Sequence, residues 1–398
     1  MNKSIEVIIN HFNDTYNIDN LWRIEFNING VCINSNPALP DFGDISPFLI
    51  MFNKKKIVKN QFNAAKKYIS NGLYIGHGGK GLFYNHDWLL GLIDAYRQTN
   101  DLDYLDTAVQ AVDTIIKKYY YKGHLLKQPI SFKSLDAFLG KVDPYNAGYV
   151  ELFLELYDIT SEKVYYNLSQ EILRTWSKDR FFIKHGLFGY VYCSRSKVIN
   201  NLIKLNISLR SRLFKSNTNL VYSLLSIYEK DNSLEWKKML KSWLNGFEKY
   251  FFNDGKVKMF LLKSFKSHTI DLKAAFSSFD ILCDCCYKNI DKEKSLYMAE
   301  KIYEYWSSIE WENGLWPINE NINENHLDAN VDFAIALTKY YTITKNVKYW
   351  NKFLKARHSI KKLHRSNYGY VNSINSFGEI VDSNIKTKYQ GLLIKLDL

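Results

Sequence analysis

Histidine and aspartate recur together in this chain, each time just before a stretch with the apolar spacing of a helix. They stand in Asn85-His86-Asp87-Trp88, His268-Thr269-Ile270-Asp271 and His326-Leu327-Asp328-Ala329. Aspartate before a helix is a common N-cap, because its carboxylate accepts a hydrogen bond from the first turn. Histidine is not a preferred cap. Its threefold recurrence therefore favours a shared polar site over capping alone.

The starts of other predicted helices carry polar side chains of the same kind. Helix N-termini also bring unpaired N–H groups and partial positive charge to whatever they face. If these helix starts converge, we expect one polar cavity that holds a ligand. The candidate ligand-binding residues are Trp88, Asp143, Asn146, Asn219, Lys273, Asp332, Trp311, Trp316, Lys388 and Gln390.

Such a cavity suits glycans, because sugar hydroxyls need many hydrogen-bonding groups and sugar faces stack on aromatic rings such as Tyr145. Hydrolysis of a glycosidic bond requires two carboxyl groups, one protonated and one ionised. Asp87, Asp271 and Asp328 are the candidates for that pair.

Elimination or epimerisation at a uronic acid is the alternative chemistry. It requires a His or Tyr base and a cation that holds the sugar carboxylate. The candidates for these roles are His86, His268, Tyr145, Lys273 and Lys388. His326, the third histidine that stands beside an aspartate, is a further catalytic candidate.

A short glycine turn returns six times and indicates how these residues are positioned. The copies lie about 50 to 70 residues apart, which suits a helix pair with elaborated loops. They are Asn71-Gly72-Leu73-Tyr74, Lys122-Gly123-His124-Leu125, His185-Gly186-Leu187-Phe188, Asp254-Gly255-Lys256-Val257, Asn313-Gly314-Leu315-Trp316 and Tyr368-Gly369-Tyr370-Val371.

Between glycine turns the apolar spacing predicts an inner, fully buried helix followed by an outer, amphipathic one. A lone outer helix at Lys54–Ile69 and a lone inner one at Lys386–Leu396 would pair end to end. The pattern predicts an all-α (α/α)6 toroid, and an open α-solenoid is the alternative. The inner and outer couplets are Tyr84–Gln98 with Tyr104–Tyr121, Tyr145–Tyr157 with Val164–Trp176, Asn219–Tyr228 with Leu234–Phe252, Asp271–Tyr287 with Lys292–Trp306, and Asp328–Tyr341 with Val347–Leu363.

Length and composition favour one large domain. The chain has 398 residues, 46% of them hydrophobic, and no linker-like segment divides it. We expect the toroid over residues 54–398 and a packed lead-in over residues 1–53. Within the lead-in, Glu6–Ile9 and Trp22–Phe26 resemble short strands, and Asn36–Asp44 resembles a loop.

The net charge of +12 comes with a joint abundance of Lys, Asn, Ile and Tyr, which AT-rich codons alone would produce. A basic amphipathic insert at about 192–216 is more telling. Its 195–215 stretch suits an anionic membrane surface or a glycosyltransferase, and a helix packed on the toroid is the structural alternative. Without a recognisable nucleic-acid module, no nucleic-acid partner is expected.

The chain has no apolar run of membrane-spanning length and no signal peptide, which predicts a cytoplasmic location, with peripheral contact at the inner membrane through the basic insert. Its five cysteines fit no disulfide framework. Cys283, Cys285 and Cys286 fall within an inner helix, where they are interpreted as packing residues. No metal and no cofactor is predicted.

Three motifs resemble six-hairpin proteins encoded in bacterial surface-polysaccharide loci. They are Asp254-Gly255-Lys256 with His268-Thr269-Ile270-Asp271-Leu272-Lys273-Ala274-Ala275, then Asn71-Gly72-Leu73 with Asn85-His86-Asp87-Trp88-Leu89-Leu90-Gly91-Leu92, and Lys388-Tyr389-Gln390-Gly391-Leu392. The resemblance implies an (α/α)6 toroid that makes or tailors capsule, exopolysaccharide or lipopolysaccharide glycans. This chain has Lys388-Tyr389 where the family often shows Arg-Trp.

The resulting hypothesis is a carbohydrate-active enzyme that acts on an acidic or lipid-linked glycan. Hydrolysis, elimination and epimerisation all stay open, because toroids of this kind support each of them. The alternative is a non-catalytic scaffold that binds glycan or glycosyltransferases during polysaccharide assembly.

Overall fold

A computed structural model describes residues 3–75, 82–189, 191–192, 211–261 and 270–397. Helices dominate this part of the chain. They are α1 (Lys3–Asn13), α2 (Phe42–Met51), α3 (Lys55–Ala65), α4 (His86–Thr99), α5 (Leu102–Lys118), α6 (Leu135–Phe138), α7 (Tyr149–Thr160), α8 (Lys163–Ser177), α9 (Arg180–His185), α10 (Thr218–Asp231), α11 (Leu234–Tyr250), α12 (Leu272–Tyr287), α13 (Lys292–Ser308), α14 (Leu327–Thr344), α15 (Val347–Leu363) and α16 (Thr387–Ile394).

Short antiparallel strands connect the helices. They are β1 (Asn17–Ile18), β2 (Leu21–Phe26), β3 (Cys32–Pro37), β4 (Ile69–Ser70), β5 (Leu73–Tyr74), β6 (Tyr120–Tyr121), β7 (His124–Leu125), β8 (Lys141–Val142), β9 (Val191–Tyr192), β10 (Ser211–Arg212), β11 (Phe252–Asn253), β12 (Lys256–Val257), β13 (Phe260–Leu261), β14 (Asn325–His326), β15 (Arg365–Ser366), β16 (Gly369–Tyr370), β17 (Ser373–Ile374), β18 (Ile380–Asp382) and β19 (Ile385–Lys386). The largest sheet pairs β2 with β1, β3 and β19.

The chain divides into two compact units. The first comprises Met1–Gly79, Asp87–Ala111 and Ile309–Leu398, and the second comprises Lys80–His86 and Val112–Ser308. In the second unit α7 packs on α8, α10 on α11, and α12 on α13, while in the first unit α14 packs on α15. These helix pairs confirm four of the five predicted couplets.

Left-handed residues explain the tight link inside a couplet. Ser161, Asn232 and Lys345 end α7, α10 and α14 with φ values of 61°, 51° and 57°. A single residue in this conformation terminates a helix and reverses the chain direction. The second helix of the couplet can therefore begin within a few residues.

Three of the six predicted glycine turns, at Gly72, Gly123 and Gly255, are tight hairpins between short antiparallel strands, whereas Gly186 ends α9 as its C-cap. Asn71 and Gly72 join β4 to β5 with φ values of 50° and 76°, the signature of a type I′ turn. A Cβ on Gly72 would lie 2.4 Å from the Thr107 carbonyl oxygen in α5, and one on Gly255 would lie 2.2 Å from the Lys301 carbonyl oxygen in α13. At Gly72 and Gly255 the turn has no room for a side chain, because the helix backbone occupies the position of a Cβ.

Amide side chains hold the segment that follows the turn. Asn330 in α14 accepts a hydrogen bond from the Trp316 backbone N–H at 2.9 Å and donates one to the Trp316 carbonyl at 2.9 Å. One side chain thus satisfies both backbone groups of a buried residue, as an adjacent strand would. Two more amide clamps have the same form, Asn217 on Phe188 and Gln390 on Tyr370.

The N-terminal segment is more helical than predicted. Residues Glu6–Ile9, expected as a strand, lie within α1, and α2 begins at Phe42, inside the expected loop. The apolar side chains Ile5, Ile8, Ile9 and Phe12 recur at helical spacing and are buried, which accounts for α1. The strand expected at Trp22–Phe26 is confirmed as part of β2.

Helix α2 packs closely on α4 and on α16. A Cβ on Gly43 would lie 2.3 Å from the Asp87 carbonyl oxygen in α4, and one on Gly391 in α16 would lie 2.3 Å from the Asp44 carbonyl oxygen. The last inner helix therefore packs on α2, whereas the sequence predicted the outer helix at 54–69 as its partner.

None of the helices in the described ranges has the length and apolar character needed to cross a membrane. Cys283, Cys285 and Cys286 are buried in α12, in agreement with their interpretation as packing residues. Most of the predicted basic insert, residues 193–210, lies outside the described residues. The described part of the insert includes β10, which pairs with β13.

Replacement of Gly186 by Ala tests the close approach of a turn to a helix. Gly186 has a φ of 67°, and a Cβ there would lie 2.1 Å from the Ser242 carbonyl oxygen in α11. We expect Gly186→Ala to lower the free energy of unfolding by about 2–5 kcal/mol, through left-handed strain plus overpacking. Urea denaturation measures the change.

Gly378→Ala is the matched control. Gly378 has a φ of 83°, but its nearest neighbour would be a Leu363 methyl at 3.1 Å. It should show only the left-handed strain, about 1–2 kcal/mol. Equal losses in the two variants would contradict a role for backbone packing.

Candidate active site in the first unit

Aspartates from three elements surround the ammonium group of Lys388 in α16. Its Nζ lies 2.8 Å from Asp44, 3.5 Å from Asp87 and 3.9 Å from Asp41. The Lys388 side chain is 27% exposed, so the charge is largely withdrawn from water. Burial by itself would lower the pKa of Lys388, but Asp44, Asp87 and Asp41 together raise it well above its usual range. Lys388 is therefore a permanent cation at neutral pH.

Local folding brings the three carboxylates to one point. Asp41 ends the short 3-10 helix Leu39–Asp41, and Asp44 lies in the first turn of α2. Asp87 lies in the first turn of α4, where carboxylates are favoured by the helix dipole. The glycine contacts of α2 with α4 and α16 hold these helices at backbone distance, so short aspartate side chains reach the ammonium.

Two more aspartates lie one turn apart on α14. Asp328 accepts a hydrogen bond from the Ala329 backbone N–H at 2.9 Å and another from the Tyr389 hydroxyl. Burial, with the Asp328 charge and hydrogen bond, raises the pKa of Tyr389 far above its usual range, so the phenol stays a donor. Two adjacent residues of α16 therefore contact both groups of aspartates. Lys388 lies beside the aspartates of the first group, and Tyr389 donates a hydrogen bond to Asp328.

Asp332 differs from the other carboxyl groups. Within the part of the chain that the structure describes, it forms no hydrogen bond and no ion pair. Burial raises the pKa of Asp332 to about 7, with Asp328 and Asp44 adding to the rise and Lys395 and Lys388 opposing it. At neutral pH this carboxyl is poised between its protonated and ionised forms. We call Asp41, Asp44, Asp87, Asp328, Asp332 and Lys388 the acid cluster.

The second unit places other predicted residues in different surroundings. Asp271 caps α12 by accepting a hydrogen bond from the Lys273 backbone N–H at 2.7 Å. Asp143 accepts from the Tyr145 backbone N–H at 3.0 Å and from the Ser216 hydroxyl at 2.9 Å. Both carboxylates therefore serve as helix caps in this unit.

His86, Tyr145 and Asn219 lie near the start of α7. His86 is 6% exposed, and its Nε2 lies 3.2 Å from the Gly148 carbonyl oxygen. The Tyr145 ring meets the His86 ring edge to face, with centroids 6.0 Å apart. A Cβ on Gly148 would lie 3.2 Å from Asn219, so that side chain also packs on this segment.

Comparisons with known proteins bear on the fold. No protein-family model and no curated protein matches the sequence. Among solved structures, an α-1,2-mannosidase from Trichoderma reesei superposes with a TM-score of 0.73 at 12% identity, over 99% of this chain and 91% of that one. A D-mannose isomerase gives a TM-score of 0.60 at 11% identity, over 100% and 97% of the two chains. An unsaturated glucuronyl hydrolase from a Bacillus species gives 0.55 at 10% identity, over 90% and 94%.

The chain has the (α/α)6 toroid fold. Identities this low establish the fold alone, and they confirm the predicted fold class. They also agree with the toroid that the motif resemblance implies.

Several residues expected to bind ligand are instead part of the toroid's packing. Trp88 and Trp316 are fully buried, so neither ring offers a face to a sugar. Gln390 is fully buried, and Asn146 is 3% exposed with its amide directed to the Leu125 carbonyl. These four expectations are corrected, because their side chains close the core or clamp the backbone. Trp311 and Lys273 are half-buried.

The remaining imidazoles do not join the acid cluster within the described residues. His326 precedes α14, and its Nε2 lies 3.2 Å from Glu324. His268 lies outside the described residues. No group of three or more His, Cys, Asp or Glu side chains in the described ranges is arranged to hold a metal ion.

Asp41 and Asp44 are the functional candidates that sequence reasoning missed. They stand in Pro40-Asp41-Phe42-Gly43-Asp44, a segment interpreted as a loop. The available signal was the apolar run from Ile45 to Met51, which follows two acidic residues as in a helix start.

Proposed function

We propose that this chain is a glycan-acting enzyme that hydrolyses a glycosidic bond at the acid cluster. One observation carries the proposal: Asp332, which has no hydrogen-bond or ion-pair partner among the described residues and a pKa of about 7, lies among carboxylates that an ammonium group holds in place. Glycosidases need two carboxyl groups in opposite protonation states, and their surroundings set those states.

The proposed steps use residues of the first unit. Asp332 in its protonated form donates its proton to the glycosidic oxygen as the bond to the anomeric carbon breaks. Asp87 is the most exposed carboxylate beside Lys388, at 36%, and accepts a proton from the water that attacks the anomeric carbon. Lys388 and Tyr389 hold the carboxylates and do not touch the reacting atoms.

The charge of the cluster argues against an acidic substrate at this point. Lys388, expected as the partner of a sugar carboxylate, is already surrounded by three aspartates. A uronate entering here would meet a surplus of negative charge, which disfavours binding. We therefore propose a neutral or amino-sugar glycan as substrate in place of the acidic glycan predicted from sequence, and hydrolysis in place of uronate chemistry.

The names of the structural relatives support an action on carbohydrates. They describe a mannosidase, a mannose isomerase and a glucuronyl hydrolase. A role in surface-polysaccharide assembly, a lipid-linked substrate, a cytoplasmic location and a membrane or glycosyltransferase contact through 195–215 stay predictions from sequence. The non-catalytic scaffold stays as the second candidate function.

Incubation of the full chain with a panel of neutral, amino-sugar and uronic-acid oligosaccharides tests the proposal. Mass spectrometry separates the reactions, because hydrolysis adds one water, elimination adds none and leaves an unsaturated product, and epimerisation leaves the mass unchanged. Cleavage of neutral or amino-sugar chains with addition of water is the expected result. Unsaturated products from uronates, or no turnover with tight glycan binding, would replace hydrolysis by lyase chemistry or by the scaffold role.

A further inference from the structure

A groove of about 750 Å³ lies in the second unit, where α9 and the end of α8 face α11. Two glycines, Gly186 and Gly246, are among the residues that line it. A Cβ on Gly246 would lie 2.4 Å from the His185 carbonyl oxygen, and one on Gly186 would lie 2.1 Å from the Ser242 carbonyl oxygen. The backbones of α9 and α11 touch there, and polar side chains from both helices line the groove together with apolar ones. We call this the α9–α11 groove.

The groove carries an excess of positive charge. Lys184, Lys238 and Lys249 line it, and none of them forms an ion pair with any residue that the structure describes. Its one carboxylate, Glu235, is held by Arg174 at 3.1 Å. Three lysines thus face the groove without a counter-charge from the described chain.

The lysines approach from both walls. Burial lowers the pKa of His185, and the charges of Lys184 on α9 and Lys249 on α11 lower it further. His185 also lies 3.0 Å from the Tyr250 hydroxyl. An anion in the groove would therefore meet charges on two sides and a histidine–tyrosine pair between them.

One face of α11 supplies a linear row of donors. Lys238, Ser242, Asn245 and Lys249 follow each other at helical spacing on the groove wall. The two lysines stand three turns apart, about 16 Å along the axis, with the hydroxyl and the amide between them. Such a row matches a chain in which hydroxyl groups alternate with negative charges.

We propose that the α9–α11 groove binds an anionic oligosaccharide whose sugars carry carboxylate groups. The row of neutral donors between lysines suits sugar hydroxyls and carboxylates together. An apolar peptide helix needs deep pockets for its side chains. Here the apolar side chains of Ile183 and Leu234 are 71% and 64% exposed, so they do not wall a deep pocket.

This site is separate in its residues from the acid cluster. The proposal rests on the proposed function and adds a second carbohydrate-binding site to it. The acid cluster disfavours acidic sugars, whereas the groove favours them. An acidic chain that is excluded by the aspartates could thus be held by the lysines. The two sites can be tested independently, because no residue belongs to both.

Titration calorimetry with short linear oligogalacturonides tests the groove in the full chain. We expect binding that weakens as salt increases, and a rise in Kd of at least about tenfold in the Lys238→Gln, Lys249→Gln double variant. Lys241→Gln is the matched control, since Lys241 is exposed on the same helix but does not line the groove. It should bind as the wild type does.

Other outcomes would overturn the proposal. Unchanged affinity in the double variant would place the ligand elsewhere. Equal binding of neutral maltooligosaccharides would remove the charge argument, and equal binding of oligoglutamate or of single-stranded DNA would make the groove a general polyanion surface. Asp332→Asn should leave this binding intact even if turnover is lost. Loss of binding in that variant would assign the ligand to the acid cluster.

Discussion

Asp332→Asn should reduce glycoside turnover by about 10²- to 10⁴-fold while the protein stays folded, because an amide cannot supply the proton that a general acid supplies. The same carboxyl predicts the pH dependence. With a pKa of about 7, its protonated form is lost as the pH rises, so wild-type kcat should fall on the alkaline side of about pH 7. Initial rates on the best oligosaccharide of the panel, measured between pH 5 and 9, check both results.

Stability provides an independent readout for the same substitution. The folded-state pKa of Asp332 lies above the ordinary value of 3.8, so the folded protein holds the proton more tightly than the unfolded chain. Protonated Asp332 therefore stabilises the folded state. This stabilisation reaches its maximum below about pH 4 and is lost as the pH rises towards about 7. Asn carries no charge at any pH, so Asp332→Asn should be more stable than the wild type at pH 8 and similar at pH 4.

Asp106→Asn is the control, because Asp106 is exposed on α5 outside the acid cluster. It should match the wild type in rate and in denaturation midpoint. Wild-type turnover in Asp332→Asn would remove Asp332 from the mechanism. A stability difference that does not depend on pH would instead contradict the raised pKa.

Lys388→Met should lower the free energy of unfolding by about 3–5 kcal/mol at pH 7, because it leaves Asp41, Asp44 and Asp87 close together without a cation. In the wild type, the raised pKa of Lys388 keeps its stabilising charge throughout the neutral range. In the variant the aspartates repel one another until they bind protons. The loss should therefore shrink as the pH falls towards about 4, which urea denaturation at several pH values measures.

Two further variants test whether the loss of stability comes from repulsion among the aspartates. Lys362→Met removes an exposed lysine from α15 and should change stability by less than about 0.5 kcal/mol. Adding Asp44→Asn to Lys388→Met removes one of the repelling charges and should restore part of the lost stability. A Lys388→Met variant as stable as the control would show that the cluster tolerates three unpaired carboxylates.

Periodic features were predictable from the sequence. The helix couplets follow from apolar spacing, and the glycine turns follow from a repeated motif in which Gly72, Gly186 and Gly255 meet a helix backbone that excludes a Cβ. Asp87, Asp328, Asp332 and Lys388 were all named as site residues from their places at helix starts. The structure places these four residues in the acid cluster, and their role as site residues stays a prediction.

The purpose of individual polar side chains was less predictable. Asn146 and Gln390 occupy helix starts like the aspartates, yet their amides bind backbone and are buried. A carboxylate could not do this, because it offers no donor to a carbonyl group. The residue type therefore distinguishes the amides that bind backbone from the aspartates of the acid cluster. The position of a residue along the helix does not make this distinction.

The N-terminal error had a different physical origin. Short β-branched runs such as Glu6-Val7-Ile8-Ile9 have strand propensity, but the wider spacing of apolar residues is helical and tertiary packing followed it. The helix that begins at Phe42 packs on residues more than three hundred positions later in the chain. Local sequence contains no signal for that contact.

The distance along the chain between Asp44 and Lys388 has a consequence during protein synthesis. At roughly 5–20 residues per second, a ribosome makes the three aspartates on the order of tens of seconds before their cation. Until then the carboxylates repel one another, and α2 lacks the helix on which it packs. A prematurely terminated chain would keep that repulsion permanently. We therefore expect a chain that ends before Lys388 to be less stable than the full chain and more open to proteolysis.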